Sequence, residues 1–525
     1  MDRSRNDLGM KVAFFTGFTN WIPHYETELE LIQRHLDAGD IVVQYRCDGE
    51  LFACDANIHH TRSACERCIS RRGNGMKLID GRVEQRRYIN LTSMDREVLA
   101  QQEGRTFATL EELKKETFQG FDIGYAVLSS LISHVREPRP DLMEHRDLVR
   151  DLMRSALAVF CSVRNELEIE RFDRFYVFNG RFAIERAVLR ACQNKGVECY
   201  THERGCDLHH YSLYPNTLPH DLRYWKAASE EAWNGNDDIT LKTALAHKFF
   251  EGRAKGQVQS WFSFIQDQDP GAMPAGFDPA VRNIVIFNSS EDEFASIDSS
   301  YSTDVYAGQE AAIRTLSRDI HQLGNGYHLY VRSHPNLRTV DNSQTRFLRD
   351  FTAPGVTIIP SDSPVSTYAL MKAADLVITF GSTMGIEAAF WGKPSVMVGS
   401  AFYAGLGSVY EPRSHDEVMN MVIYGAKPLP VEGALKYGHR MTTFGTQFQH
   451  YQPTGVTSGL FKGVSLDTHP LSNGKSGIWA RQRRRVYDWT YRVGLQQRLN
   501  DWSYLLTYNR SRIQLLGLRQ WFNTR

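Results

Sequence analysis

The chain has 525 residues, enough for two or three domains that each bury a core. Hydrophobic (42%) and charged (23%) fractions are ordinary for a globular protein, and Lys+Arg and Asp+Glu both total 61, so bulk charge gives no reason to expect nucleic acid as a partner. Residues 1–10 are polar, Val12–Phe15 is too short for a signal peptide, and no run approaches the roughly 20 apolar residues of a membrane span, so the expected location is the cytoplasm and the eight cysteines are expected as thiols or metal ligands.

Lys11 to Thr16 is an apolar run ending in Gly17-Phe18-Thr19-Asn20, the pattern of a first strand and a glycine turn. Tyr25 to Ala38 has helical spacing (Leu29, Ile32, Leu36) and stops at Gly39, and Ile41-Val42-Val43 is the next strand. Strand, helix, strand is the opening of a doubly wound α/β domain. A loop with Cys47, Cys54, Cys65 and Cys68 then interrupts the alternation, spaced C-x6-C-x10-C-x2-C, with His59 and His60 inside it. Four thiolates can surround a structural zinc, and the close Cys65–Cys68 pair is the strongest part of that signal. Buried thiols, a redox pair and an iron–sulfur centre are the alternatives, and the loop is expected to lie outside the cleft.

Leu110 to Phe118 and Arg146 to Leu167 carry apolar residues at three- and four-residue spacing, as helices packed on a sheet do. Phe175 to Phe178 is a strand, Ala183 to Lys195 a helix stopped by Gly196, and Val197 to Tyr200 another strand that runs into Thr201-His202-Glu203-Arg204-Gly205. A helical, then Gly- and Pro-rich stretch over residues 226–280 reads as the connection to a second α/β domain. That domain opens with strand Asn283 to Phe287 and the polar turn Asn288-Ser289-Ser290-Glu291-Asp292-Glu293. Helix Gln309 to Leu323, strand Tyr327 to Val331 and the turn Arg332-Ser333-His334-Pro335-Asn336 follow. After strand Val356 to Pro360 and helix Ser366 to Ala373 comes Ala374 to Gly399: a buried strand, Gly381-Ser382-Thr383, a helix containing Glu387, and the start of another strand. Polar turns at the carboxyl ends of parallel strands are where such sheets bind ligands, and hydroxyls beside a helix N-terminus favour an anion.

The His-Pro and Ser-Thr turns resemble the C-terminal half of a GT-B glycosyltransferase, and more narrowly the bacterial capsule-polysaccharide group that includes the Kdo transferases and sialyltransferases. The resemblance is firmest over roughly residues 280–400. It implies two Rossmann-like domains facing a cleft: residues 1–225 with the Cys-rich loop 47–68, a linker 226–280, a nucleotide-sugar domain 281–430, and a helical segment 431–525. It implies a CMP-sugar donor held by Ser289, Ser290, Arg332, His334, Pro335, Ser382, Thr383 and Glu387, with His334 and the base Glu203 catalytic and no catalytic metal. The implied acceptor is a saccharide or glycolipid. A UDP-sugar 2-epimerase, to which Glu387 would suit a ribose contact, and a polyol-phosphate transferase share these turns and are the rival readings. From Lys475 to Arg525 the chain has eleven Lys or Arg against Asp488 and Asp501, a net +9, interleaved with nine aromatic residues from Trp479 to Phe522. Such a tail suits an anionic membrane surface, or a helix returning to cover the N-terminal domain.

Overall fold

The computed structural model describes residues 9–235, 238–301 and 305–467; the basic segment 475–525 lies outside them. Six strands of the N-terminal domain are β1 (Lys11–Thr16), β2 (Ile41–Arg46), β3 (Val83–Arg87), β4 (Arg174–Phe178), β5 (Glu198–Arg204) and β6 (His210–Pro215). The second domain has β7 (Arg282–Phe287), β8 (Tyr327–Arg332), β9 (Val356–Ile359), β10 (Leu376–Thr379) and β11 (Ser395–Met397). A C-terminal segment adds β12 (Thr446–Gln447), β13 (Tyr451–Gly455) and β14 (Ser458–Phe461).

The first sheet runs β12-β6-β5-β4-β1-β2-β3 and the second β11-β10-β7-β8-β9. All pairings in the second sheet are parallel, whereas β6 and β12 add an antiparallel edge to the first. The winding reverses between β1 and β4 in one domain and between β7 and β10 in the other. Crevices therefore open at the carboxyl ends of these four strands.

Alternation along each strand serves both sheet faces. Ala13 and Phe15 of β1 join one core with Val43, Phe175 and Val177, while Val12 and Phe14 point the other way to Tyr25, Leu29 and Tyr176. In the second domain Ile284, Ile286 and Ile378 face one core and Val285, Phe287 and Val377 the other. Burial on both faces is why these strands read as continuous apolar runs. Gly196 caps helix Ala183–Lys195 at φ 67°, a left-handed position that glycine adopts freely.

The segment after residue 430 departs from the all-helical expectation. Helix Glu432–Thr443 packs beside helix Ile239–Ala254 through Tyr437, Phe249 and Phe250. The chain then crosses back, pairing β12 with β6 and seating Phe448, Tyr451, Phe461 and Leu466 against Val12, Tyr25 and Leu29. This return ties the second domain to the first. Among the described residues no helix is long and apolar enough to cross a membrane.

Candidate functional site

A cavity of about 310 Å³ opens at the carboxyl ends of β7, β8 and β10. Its walls include Asn288, Ser289, Ser290, Arg332, His334, Pro335, Ser382 and Thr383, so the sequence-predicted turns converge on one space. The parallel sheet explains why: β7, its neighbours β8 and β10, and their turns all end on one edge. Gly381 sits at φ 140°, where a Cβ would stand 2.6 Å from the Ser400 carbonyl oxygen, so the chain can turn into the cavity only as glycine.

The floor is polar and unsatisfied. Both side-chain polar atoms of Asn288 and the hydroxyl of Ser289 are buried without a hydrogen-bond partner. Burying such groups unpaired costs roughly 1–3 kcal/mol each, which a polar ligand would offset. The Ser290 hydroxyl, by contrast, is already taken by Asp292.

Positive charge comes from a residue the sequence reading missed. Arg253, near the end of helix Ile239–Ala254, donates through Nε to Glu387 (2.8 Å) and through Nη2 to the Thr383 hydroxyl (2.9 Å). Burial opposes the guanidinium charge, but neighbouring Glu387 more than restores it. Glu387 is fully buried and also accepts from the Tyr368 hydroxyl, so it anchors Arg253 and is not among the residues that line the cavity. The helix after Thr383 (Met384–Phe390) has only seven residues, so Arg253 is a stronger source of charge than the expected helix N-terminus. No motif marks Arg253; it lies inside the expected linker 226–280 and meets the Ser-Thr turn only in the fold.

Arg332 is nearly buried, and burial lowers its pKa to about 10. Its two terminal nitrogens bond the carbonyls of Pro360 and Ser363, so it braces the turn more than it offers donors. His334 is half-buried in the wall, and its Nδ1 accepts from the Asn336 N–H at 3.2 Å. That fixes the tautomer with Nε2 as donor. Burial, reinforced by Arg253 and Arg332, depresses its pKa to about 4, so the unliganded ring is neutral at pH 7.

Glu203 is absent from the cavity wall. It lies at the end of β5, accepting from Asn179 Nδ2 (2.8 Å) and the Arg204 N–H (3.0 Å), with His24 Nδ1 3.5 Å away. Burial works against its charge, but His24, Asn179 and Arg204 outweigh it and hold the carboxyl below its usual range. Burial also keeps His24 neutral, down to about 3. Two links join Glu203 to the cavity. The Arg204 guanidinium lies 5.2 Å over the ring of Trp261, and Arg181, whose pKa burial lowers against the opposing charges of Glu293 and Glu203, donates to the Glu293 carbonyl at 2.9 Å; Trp261 and Glu293 both line the wall.

The cysteine loop is not remote from this region. The hydroxyl of Thr19, in the turn after β1, stands 3.0 Å from Cys68 Sγ, and Cys54 packs with Phe18, Phe178 and Phe182 at the ends of β1 and β4. Cys65 and Cys68 lie on helix Arg62–Met76, which the sequence reading missed. Among the described residues, the one set of three His, Cys, Asp or Glu ligand atoms within 4.8 Å of one another is Cys206, Asp207 and His210, so Cys47, Cys54, Cys65 and Cys68 stand wider than that.

Residues 296–427 match the capsule polysaccharide biosynthesis protein family. That stretch is about a quarter of the chain. Two doubly wound domains and a C-terminal segment crossing back agree with the two-domain architecture expected from the sequence. Among solved structures the chain is similar to the KpsC beta-Kdo 2,4 transferase of Thermosulfurimonas dismutans, at 13% identity and TM-score 0.33, over 51% of this chain and 79% of that one. The KpsC beta-Kdo 2,7 transferase of the same organism aligns at 16% identity and TM-score 0.32, over 53% and 79%. The glycosyltransferase SnogD of Streptomyces nogalater aligns at 12% and 0.25, over 83% and 96%. No curated protein matches the chain.

Proposed function

We propose that the protein is an inverting glycosyltransferase that moves a sugar from a nucleotide-activated donor, a CMP-sugar in the favoured case, to a saccharide or lipid-linked acceptor of capsule synthesis. The observation that carries this reading is the convergence of Asn288–Ser290, His334 and Ser382–Thr383, with Arg253 behind them, on one cavity of about 310 Å³. The reaction needs negative charge stabilised on the leaving phosphate and a proton removed from the acceptor hydroxyl. Arg253, His334 Nε2–H and the serine and threonine hydroxyls serve the first need without calling on a divalent ion. Glu203, ionised and across from the donor domain, serves the second.

A panel of nucleotide sugars, incubated with and without saccharide acceptors, tests this. Free nucleotide should appear only with acceptor, fastest from a CMP-sugar. Isomerised donor would instead mark an epimerase. In the same assay Glu203→Gln should lose turnover by about a hundredfold or more while keeping donor affinity. Loss of donor binding together with turnover would make Glu203 a structural group.

The basic, aromatic segment 475–525 would hold the enzyme on an anionic leaflet beside a lipid-linked acceptor. Full-length protein should float with anionic vesicles and be released by salt. Equal flotation after truncation at Asn473 would assign membrane contact elsewhere.

A further inference from the structure

Among the described residues, no three of the Cys47, Cys54, Cys65 and Cys68 sulfurs lie within 4.8 Å of one another. Two of the sulfurs accept polar donors, Gly49 N–H to Cys47 Sγ at 3.3 Å and the Asn57 amide to Cys65 Sγ at 3.1 Å, and the Thr19 hydroxyl, 2.8 Å from the Cys68 carbonyl, stands 3.0 Å from Cys68 Sγ. Donors aimed at sulfur stabilise thiolate over thiol and are the surroundings that tune metal-bound cysteine. The four converge. A Cβ on Gly49 would stand 3.7 Å from Cys65 Sγ, and Asn57 bridges to Cys54 through its backbone (Asn57 N–H to the Cys54 carbonyl, 2.9 Å) and to Cys65 through its amide. Burial pushes the Cys54 thiol up, and Cys47, Cys68 and Cys65 all lie within electrostatic reach of its sulfur.

Spacing favours a centre larger than a single ion. Zinc–sulfur bonds of about 2.3 Å place four tetrahedral sulfurs roughly 3.8 Å apart. No three of these sulfurs lie within 4.8 Å of one another. Cys65 and Cys68 are three residues apart on one helix, where Cβ atoms are about 5–6 Å apart. A multi-iron centre held by four cysteines spans more than a single ion and takes ligands from such separated positions.

We propose that Cys47, Cys54, Cys65 and Cys68 ligate an iron–sulfur cluster that pins the Cys loop onto the carboxyl ends of β1 and β4, beside the acceptor side of the cleft. The framework for that role is present. Arg72, on the cysteine helix, donates to the Cys47 carbonyl at 2.5 Å, Arg71 bonds the Thr19 carbonyl, and Cys54 closes on Phe18, Phe178 and Phe182. Asp55, next in the chain, takes a hydrogen bond from Ser130 (2.9 Å), and Ser130 in turn accepts from Ala183 N–H (2.9 Å) at the start of the helix after β4. The cluster would thus brace the strand ends that carry Asn179 and, one strand over, Glu203.

The test is elemental. Full-length protein isolated without oxygen or added metal should contain about four iron and four sulfide per chain and a broad visible charge-transfer band. Cys65→Ser and Cys68→Ser should each lose most of that iron. One zinc per chain without iron would overturn the proposal. So would folded protein in which all four thiols alkylate and neither metal is found. These readouts need no donor or acceptor, so they stand or fall separately from the transferase assay.

Discussion

Arg253→Met should lose both stability and donor binding. The guanidinium is the partner of Glu387, which is fully buried, and removing one member of such a pair leaves an uncompensated charge. That typically costs about 3–5 kcal/mol; the low end applies here, because Arg253 lies at the cavity and the Tyr368 hydroxyl still reaches Glu387. Pairing the change with Glu387→Gln should restore most of the stability but not the affinity for nucleotide sugar, because the cation beside Thr383 is still missing. Denaturant midpoints, with calorimetric titration of donor, separate the two effects. Wild-type stability in Arg253→Met, or full donor affinity in the double variant, would remove Arg253 from the site.

The fold was legible wherever burial on both faces of a sheet made a strand apolar. Lys11–Thr16, Arg174–Phe178 and Tyr327–Arg332 fall within a residue of the expected runs, and Ala183–Lys195 coincides with its expected helix. The misses have a common physical cause. β3 (Val83–Arg87) is an edge strand with an exposed, charged sequence, and β12 is two residues that become a strand only by pairing with β6. Helix Arg62–Met76 contains two glycines and four arginines and has little apolar periodicity to read. The cavity divides in the same way. Turns adjacent in sequence to strong strands, such as His334-Pro335 and Ser382-Thr383, were visible as polar breaks after apolar runs. Arg253 and Tyr368 were not, because they reach the Ser382-Thr383 turn and its helix from other elements, and only the tertiary fold brings them to Glu387 and Thr383. The charge state of His334 was also out of reach, since it depends on burial and on the cations packed around the ring.

His334→Ala should lower turnover by about a hundredfold or more in protein saturated with donor. The ring meets the conditions for a transition-state donor: Nδ1 is committed to the Asn336 N–H, so Nε2 carries the proton into the cavity. A neutral N–H donor strengthens as charge grows on the leaving phosphate, so kcat should fall more than donor affinity. Ser382→Ala should cost less, because Ser289, Thr383 and backbone N–H groups remain around the same space. The pH profile gives a second readout. With its folded pKa near 4, below the ordinary 6.5, His334 contributes stability that is complete above about pH 6.5 and is lost as pH falls toward 4. For the same reason kcat/KM, which reports the free enzyme, should show no limb at pH 6.5 from this ring, and the alanine variant should not move any limb found there. Near-normal turnover in folded, donor-saturated His334→Ala protein would take His334 out of the mechanism and leave Arg253 as the main stabiliser of the departing phosphate.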